Sequence, residues 1–318
     1  MNCLCCNKPL RNENKSGWHN SCIKRFFGTN TLPNLDITPE TLKKLSTEST
    51  NKGYTVPGVQ KKISLRLSLE DDARLTLVGY PSGYILKPQT EEYSCLPELE
   101  HLIMRMALES GIRTVPFALI KLSQDDNSLA YITKRIDRRN DKYLAMEDFC
   151  QLDGRLTEDK YKGSYERCAK IISEYSIAAG LDISELFLRL VFSFAIGNSD
   201  MHLKNFSLIE TKEGLEEYVL SDAYDMLSTN IVIPEDNEEF ALTMNGKKRN
   251  LKYKDFITFA TVIGLPEKSA EKMIRKILTM KEKYFEMIDD SFIPEDMEND
   301  LKKLIEKRME ILAKDITL

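Results

Sequence analysis

Between Lys62 and about Arg135 apolar residues alternate in short runs broken by Gly and Pro, and after Glu147 they recur every three or four residues almost to the end. Period two marks a strand with one buried face and period 3.6 marks a helix, so a β-rich segment must precede an α-rich one. The runs ISLRLSL, RLTLVGY, GYILKP and LAYITKRI predict strands, interrupted by one helix over Leu96 to Gly111. Downstream, Tyr165 to Ala179 and Ser184 to Ile196 predict strongly apolar helices, and Glu267 to Asp289 and Glu295 to Ala313 predict amphipathic ones. Leu203 to Asp225 should hold a short strand pair. A chain of 318 residues can bury one large core or two unequal ones, and an α+β class with a β-rich lobe before a helical lobe is the expectation.

Four segments follow from this pattern: a Cys- and Lys-rich unit over 1–30, a polar linker over 31–53 with a short helix beginning near Thr38-Pro39, a β-rich lobe over 54–140 and a helical lobe over 141–318. The formal charge is -5 with acidic and basic residues intermixed, so no overall basic field draws nucleic acid. MNCLCCNKPL lacks the apolar run of a signal peptide, and no stretch reaches 18 apolar residues. A cytoplasmic protein with no membrane partner is expected. Arg135, Asp137, Arg138 and Arg139 are open to two readings, a substrate- or DNA-facing patch and a solvated turn, while His101 reads as a helix-surface residue.

The strongest chemical signal is GNSDMHLKNFS, directly after the apolar helix that ends at Ile196. Asp200 and Asn205 stand five residues apart in a loop. Phosphoryl transfer needs this pairing: a carboxylate orients the attacking hydroxyl and accepts its proton, while a neutral amide oxygen ligates Mg²⁺ without repelling phosphate. Twenty residues beyond Asn205, Asp225 offers a second carboxylate at a strand end, and Asp222 competes for the same role. Mg²⁺ prefers hard oxygen ligands, so Asn205, Asp225 and phosphate oxygens form a sufficient set. Upstream, Lys87 ends the strand Tyr84-Ile85-Leu86, and Glu100 lies in the following helix, with Glu98 the weaker partner. A strand lysine held by a helix glutamate keeps an ammonium aimed at nucleotide phosphates. The segment Tyr54 to Lys62 carries Gly58 and could cover phosphates with backbone amides, although one glycine alone is a weak signal, since most such glycines are plain turns.

Taken in order, VPGVQKK, YILKP, LEHLIMRMA, ITKRIDR, MEDFCQ, GNSDMHLKNFS and YDMLS resemble the HipA family of bacterial toxin Ser/Thr kinases, including its short HipT-like members. The resemblance covers about Tyr54 to Thr229 closely and the helical tail loosely, and it implies a two-lobed protein-kinase-like fold. It implies Asp200 as catalytic base, Asn205 and Asp225 as Mg²⁺ ligands, and Lys87 with Glu100 at the ATP phosphates. Gly58 and Gln60 would lie in the phosphate loop, and Lys134, Arg135 and Ile136 in the adenine hinge. His202 and Lys204 would stabilise the catalytic loop or touch the transferred phosphoryl. Family members autophosphorylate a Ser in the phosphate loop, and Thr55 stands at the matching place, with Pro57 stiffening the segment.

The seven cysteines are an odd number, with four in the first 22 residues, which points to metal at one end and reduced thiols elsewhere. Cys3, Cys6, His19 and Cys22 give C-x₂-C, a twelve-residue spacer and H-x₂-C. Two short ligand pairs on two knuckles suit structural Zn²⁺ with a full tetrahedral shell, and Cys5 is a spare thiol.

The reaction expected is transfer of the ATP γ-phosphoryl to a protein Ser or Thr. The resemblance implies a translation component such as an aminoacyl-tRNA synthetase as substrate, and a helix-turn-helix antitoxin as partner that brings DNA in only indirectly. A small companion protein could replace the N-terminal subdomain of longer HipA kinases. A nucleotide-binding pseudokinase acting as an interaction protein and a small-molecule kinase are the rival readings.

Overall fold

The computed structural model describes residues 1–10, 16–35, 62–69, 73–76, 83–122, 128–139 and 142–314. Thr55, Gly58 and Gln60, and the helix expected near Thr38-Pro39, lie outside the described residues. The chain divides into two compact units, the first comprising Met1–His101 and Val115–Asp141, the second Leu102–Thr114 and Lys142–Leu318.

The first unit is built on a six-stranded sheet of β1 (Asn34–Leu35), β2 (Ile63–Ser68), β3 (Arg74–Thr76), β4 (Tyr84–Pro88), β5 (Phe117–Lys121) and β6 (Leu129–Lys134), in the order β1-β3-β2-β4-β6-β5. Neighbours are antiparallel except β1 with β3. Leu65 is buried between exposed Ser64 and Arg66, as alternation requires. The register sets Leu86 opposite Ile132 and Lys87 opposite Tyr131. Strand β5 has no alternation to announce it, because Phe117, Ala118, Leu119 and Ile120 are all buried. The Leu119 N–H donates to the Leu4 carbonyl at 2.8 Å, so the N-terminal segment covers what would be an open sheet edge.

That segment has its own small core. Helix α1 (Asn20–Phe27) stops at Gly28, whose φ of 79° suits a left-handed cap, and it buries Cys22, Ile23, Phe26 and Phe27. Trp18, fully buried, lies 5.6 and 5.5 Å from the Phe26 and Phe27 rings, which in turn lie 5.9 and 5.4 Å from Tyr84 on β4.

Helix α2 (Leu96–Glu109) starts where the Gln89 Oε1 accepts the Leu96 N–H at 3.2 Å, and it tolerates Pro97 because the first turn has no partner for that missing donor. Gly111, with φ 77°, ends it. His101 is buried, not a surface residue: its Nε2 lies 3.3 Å from the Cys5 carbonyl, and its ring stands edge-on to Phe117. The periodicity of α2 could not show this, because the surface that covers His101 comes from the N-terminal segment.

The second unit contains a three-stranded antiparallel sheet, with β8 (Ser207–Glu210) between β7 (Met146–Asp148) and β9 (Tyr218–Leu220). Its centre is the helix Ala179–Ala195, buried on all sides from Leu186 onward and apolar there except for Arg189 and Ser193, which packs against Tyr165–Tyr175, Glu267–Thr279 and Glu295–Ala313. It begins five residues earlier than the expected Ser184, and the preceding helix stops at Tyr175 instead of Ala179. Asp182 explains both shifts, since its buried carboxylate accepts the Ser176 hydroxyl at 2.6 Å and the Leu220 N–H at 2.7 Å and draws Ser176 out of helical geometry. The helix expected over Glu267 to Asp289 is interrupted at Met280, where the Thr279 hydroxyl takes the Lys276 carbonyl at 2.8 Å. Among the described residues no helix is long and apolar enough to cross a membrane.

Candidate phosphoryl-transfer site and Cys/His knuckle

In the second unit the central helix runs out at Ala195, and Gly197 turns the chain with φ 68°. A side chain there would collide with Leu304 and crowd Asn230, so the turn excludes other residues. The loop that follows is fastened at nearly every position. The Ser199 N–H donates to Thr229 Oγ1 and the Ser199 hydroxyl to Asp236 Oδ2, both at 2.7 Å. The Tyr165 hydroxyl donates to the Met201 carbonyl at 3.0 Å, and the Leu203 N–H to the Lys160 carbonyl at 3.1 Å. Asn205 Nδ2 donates to the Asp200 carbonyl at 2.8 Å, which turns the amide so that its oxygen is the end able to meet a cation. Asp200 keeps its carboxylate partly exposed, so it is open to a proton donor on another molecule.

Asp225 reaches the same loop through the β8–β9 hairpin. Pairing of Leu208 with Leu220 and the Ser221 N–H bond to the Ser207 carbonyl at 2.9 Å bring the two strand ends together. Tyr224 then ties them: its hydroxyl donates to the Lys204 carbonyl at 3.1 Å and lies 2.6 Å from the Ser207 hydroxyl. The residues before Asn205 and before Asp225 are thus bonded to each other. Asp225 has φ 59°, an uncommon conformation for a residue with a side chain, and Asp222 is not among the positive-φ residues. The segment leading to Asp225 is pinned by the fully buried Arg189, which donates to the Ser221 carbonyl at 2.7 Å and to Glu185 at 3.0 Å.

His202 is buried, with Nε2 4.0 Å from the Asp200 carboxylate, too far for a hydrogen bond. Lys204 donates to Asp148 Oδ2 at 2.7 Å. Asp148 also caps the helix Phe149–Leu152, accepting the Gln151 N–H at 2.9 Å, so it joins β7 to the loop that carries Asp200 and Asn205. Two contacts of this loop escape the sequence reading. Asp148 lies within the string MEDFCQ, a signal that could have found it, whereas Tyr161, whose hydroxyl donates to Asp200 Oδ1 at 2.8 Å from 39 residues away, has none. Burial, then the Asp200 charge, push the Tyr161 phenol up, so it stays a donor.

In the first unit Lys87 Nζ lies 2.5 Å from Glu100 Oε1, both nearly fully buried, and 5.2 Å from the centre of the Tyr131 ring. Glu98 does not reach this pair, and burial raises its carboxyl. Burying two charges costs several kcal/mol per ion before pairing, so such a pair marks a candidate functional group more than a source of stability. At the expected hinge, the Lys134 and Arg135 N–H groups donate to the Pro116 and Gly83 carbonyls at 2.9 Å each, and Ile136 follows them. Arg135 and Arg138 both bind Asp137, at 2.7 and 2.5 Å, which is a charge-paired turn.

The first unit also gathers Cys3, Cys6, His19 and Cys22, whose ligand atoms all lie within 4.8 Å of one another. His19 Nε2 lies 3.1 Å from the Pro9 carbonyl, which holds the proton on that nitrogen and leaves Nδ1 bare, 3.4 Å from Cys6 Sγ and 3.9 Å from Cys22 Sγ. A tetrahedral ion with Zn–S bonds of about 2.3 Å would draw such atoms to separations of roughly 3.5–4 Å, so the set fits the ion in type and spacing. Cys5 stays outside the four, and burial pushes its thiol up to about 11.

The sheet-then-helix order, the lysine–glutamate pair and the loop carrying Asp200 and Asn205 define a two-lobed, protein-kinase-like α+β protein with a small Cys/His knuckle. Two solved structures share that fold: HipA from the Shewanella oneidensis complex of HipA, HipB and operator DNA (TM-score 0.67, 20% identity, 80% of this chain and 64% of that one), and the Helicobacter pylori proinflammatory kinase CtkA (TM-score 0.56, 17% identity, 81% and 91%). Residues 54–284 match the family described as HipA-like C-terminal domain, and the chain belongs to that family. A Haemophilus influenzae protein named "Putative kinase" is 30% identical over 82% of both chains, and the Sinorhizobium fredii protein Y4dM, of the same designation, is 34% identical over 55% of this chain. The chain spans 45% of the length of Y4dM and less than two thirds of the Shewanella HipA.

Proposed function

We propose that this chain is an ATP-dependent Ser/Thr protein kinase that acts as the toxin of a HipA-like toxin–antitoxin pair. The observation that carries the reading is the joined loop of Asp200, Asn205 and Asp225, with the Asn205 amide turned by the Asp200 carbonyl and Tyr224 bonded to Lys204. Asp200 orients the substrate hydroxyl and takes its proton as the bond from its oxygen to the γ-phosphorus forms and the bond to the β–γ bridging oxygen breaks, with ADP as the leaving group. Asn205 and Asp225 would hold Mg²⁺, which when bound neutralises phosphate charge. Lys87, kept in place by Glu100, offers its ammonium to the ATP phosphates, and Lys204 braces the loop through Asp148.

A translation component such as an aminoacyl-tRNA synthetase is the proposed substrate, and Thr55 the proposed autophosphorylation site. The likeness to a HipA solved with HipB and operator DNA supports an antitoxin partner, and through it an indirect link to DNA. The test is to induce the wild-type chain and Asp200→Ala in bacteria and to compare growth and phosphoproteomes. Arrest with a new phosphorylated Ser or Thr in the wild type alone is expected. Equal behaviour of the two, with no new phosphoprotein, would transfer the reading to a non-catalytic interaction protein, and phosphate on a metabolite would make it a small-molecule kinase.

A further inference from the structure

The N-terminal knuckle is bonded to both elements that supply the buried Lys87–Glu100 pair. On one side Phe26 and Phe27 pack on Tyr84, three residues before Lys87 on β4. On the other side the Cys5 carbonyl lies 3.3 Å from His101 Nε2, and His101 directly follows Glu100 on α2. Between them the Leu4 carbonyl accepts the Leu119 N–H and closes the sheet edge. Leu4 and Cys5 belong to the turn between Cys3 and Cys6, and Phe26 and Phe27 to the helix that carries Cys22.

We infer that Cys3, Cys6, His19 and Cys22 bind one structural Zn²⁺, and that the loaded knuckle is the brace that holds β4 and α2 at the separation their lysine–glutamate contact needs. Three thiolates and an imidazole are soft ligands in a set of four, which favours zinc and leaves no open position for a substrate. Among the described residues the backbone bonds of the turn from Cys3 to Cys6 include Asn7 N–H to the Cys3 carbonyl at 2.7 Å, and Cys3 N–H to the Lys8 carbonyl and Leu4 N–H to the Gly17 carbonyl, each at 2.9 Å. The small core of Trp18, Phe26 and Phe27 lies on the helix side of the knuckle, so it is the ion that ties the Cys3–Cys6 turn to that helix. Release of the ion therefore frees the Leu4 and Cys5 carbonyls, and with them the sheet edge and the start of α2. This brace stands whether or not the chain transfers phosphate; only its consequence for nucleotide binding rests on the proposed function.

The experiment uses the purified full chain. Elemental analysis should find one zinc per chain, and Cys6→Ser with Cys22→Ser should find none. Amide exchange measured by mass spectrometry should then show peptides covering β4 and Leu96–Met104 exchanging at least tenfold faster after zinc is stripped with a chelator, and recovering when zinc alone is returned. His101→Ala keeps the ligands, so it should retain one zinc yet lose protection at the start of α2. Iron in place of zinc, or no bound metal at added zinc concentrations up to micromolar, overturns the site. Full zinc with exchange in β4 and α2 unchanged by stripping overturns the brace. Neither reading depends on detecting kinase activity.

Discussion

At the scale of single residues, the Asp200 carboxylate is shared between two demands, because the phenol of Tyr161 already donates to one of its oxygens. A hydrogen bond to a carboxylate that is partly exposed is worth about 1 kcal/mol, equivalent to roughly fivefold in rate. Tyr161→Phe is therefore expected to lower the phosphorylation rate about fivefold while the KM for ATP stays as it was, and steady-state kinetics with a peptide or autophosphorylation readout would check it. An unchanged rate would remove Tyr161 from the positioning of Asp200. Gly197 makes a different claim. Its left-handed φ and the Leu304 contact leave no space for a methyl group, so Gly197→Ala should cost about 2 kcal/mol or more, read as a lower urea midpoint. What could be read from the sequence at this scale is local: the spacing of Asp200 to Asn205 and the strand and helix placement of Lys87 and Glu100. The partners that fasten them, Tyr161, Asp148 and Tyr224, come from other segments, and no periodicity encodes a contact across tens of residues.

Elements show the same division. Most strands and helices declare themselves through alternation or 3.6-residue periodicity, but β5 is buried on both faces and therefore reads as neither, and the start of the central helix depends on Asp182 rather than on its apolar pattern. Asp182 bonds Ser176 and the Leu220 N–H and lies 3.4 Å from Arg113, so it joins two helices to the strand leading toward Asp225. Asp182→Ala would leave a buried N–H and a hydroxyl unsatisfied and is expected to cost about 3 kcal/mol, whereas Ser176→Ala removes two bonds, to Asp182 and from the Ala178 N–H, and should cost about 1–2 kcal/mol. A second brace, Asp153, holds Arg167 on the helix Tyr165–Tyr175 and also Arg155. Burial raises its carboxyl, but the two guanidinium groups outweigh that and lower it overall. The stability it contributes is therefore present above the ordinary carboxylate range and is lost as pH falls through the lowered value. Asp153→Asn should destabilise by about 1–2 kcal/mol at pH 7 and by progressively less as pH falls below the ordinary carboxylate range, in denaturant melts. A constant difference across that range would show that the pairing is not ionic.

For the whole molecule, membership of the HipA-like family and the kinase-like fold together predict that MgATP raises the melting temperature by several degrees, since a ligand that binds only the folded chain stabilises it by mass action. Removing the divalent ion with EDTA, or replacing Asn205 and Asp225 by Ala, should abolish most of that rise; a rise that survives both would place nucleotide binding elsewhere. The sequence contains one tryptophan, and the fold buries it wholly inside the knuckle, against Phe26 and Phe27. Excited at the red edge of protein absorption, where tyrosine is silent, the chain thus emits from a single known location. Its emission maximum reports the wetness of the core that Trp18 forms with Phe26 and Phe27, a built-in optical probe that needs no label.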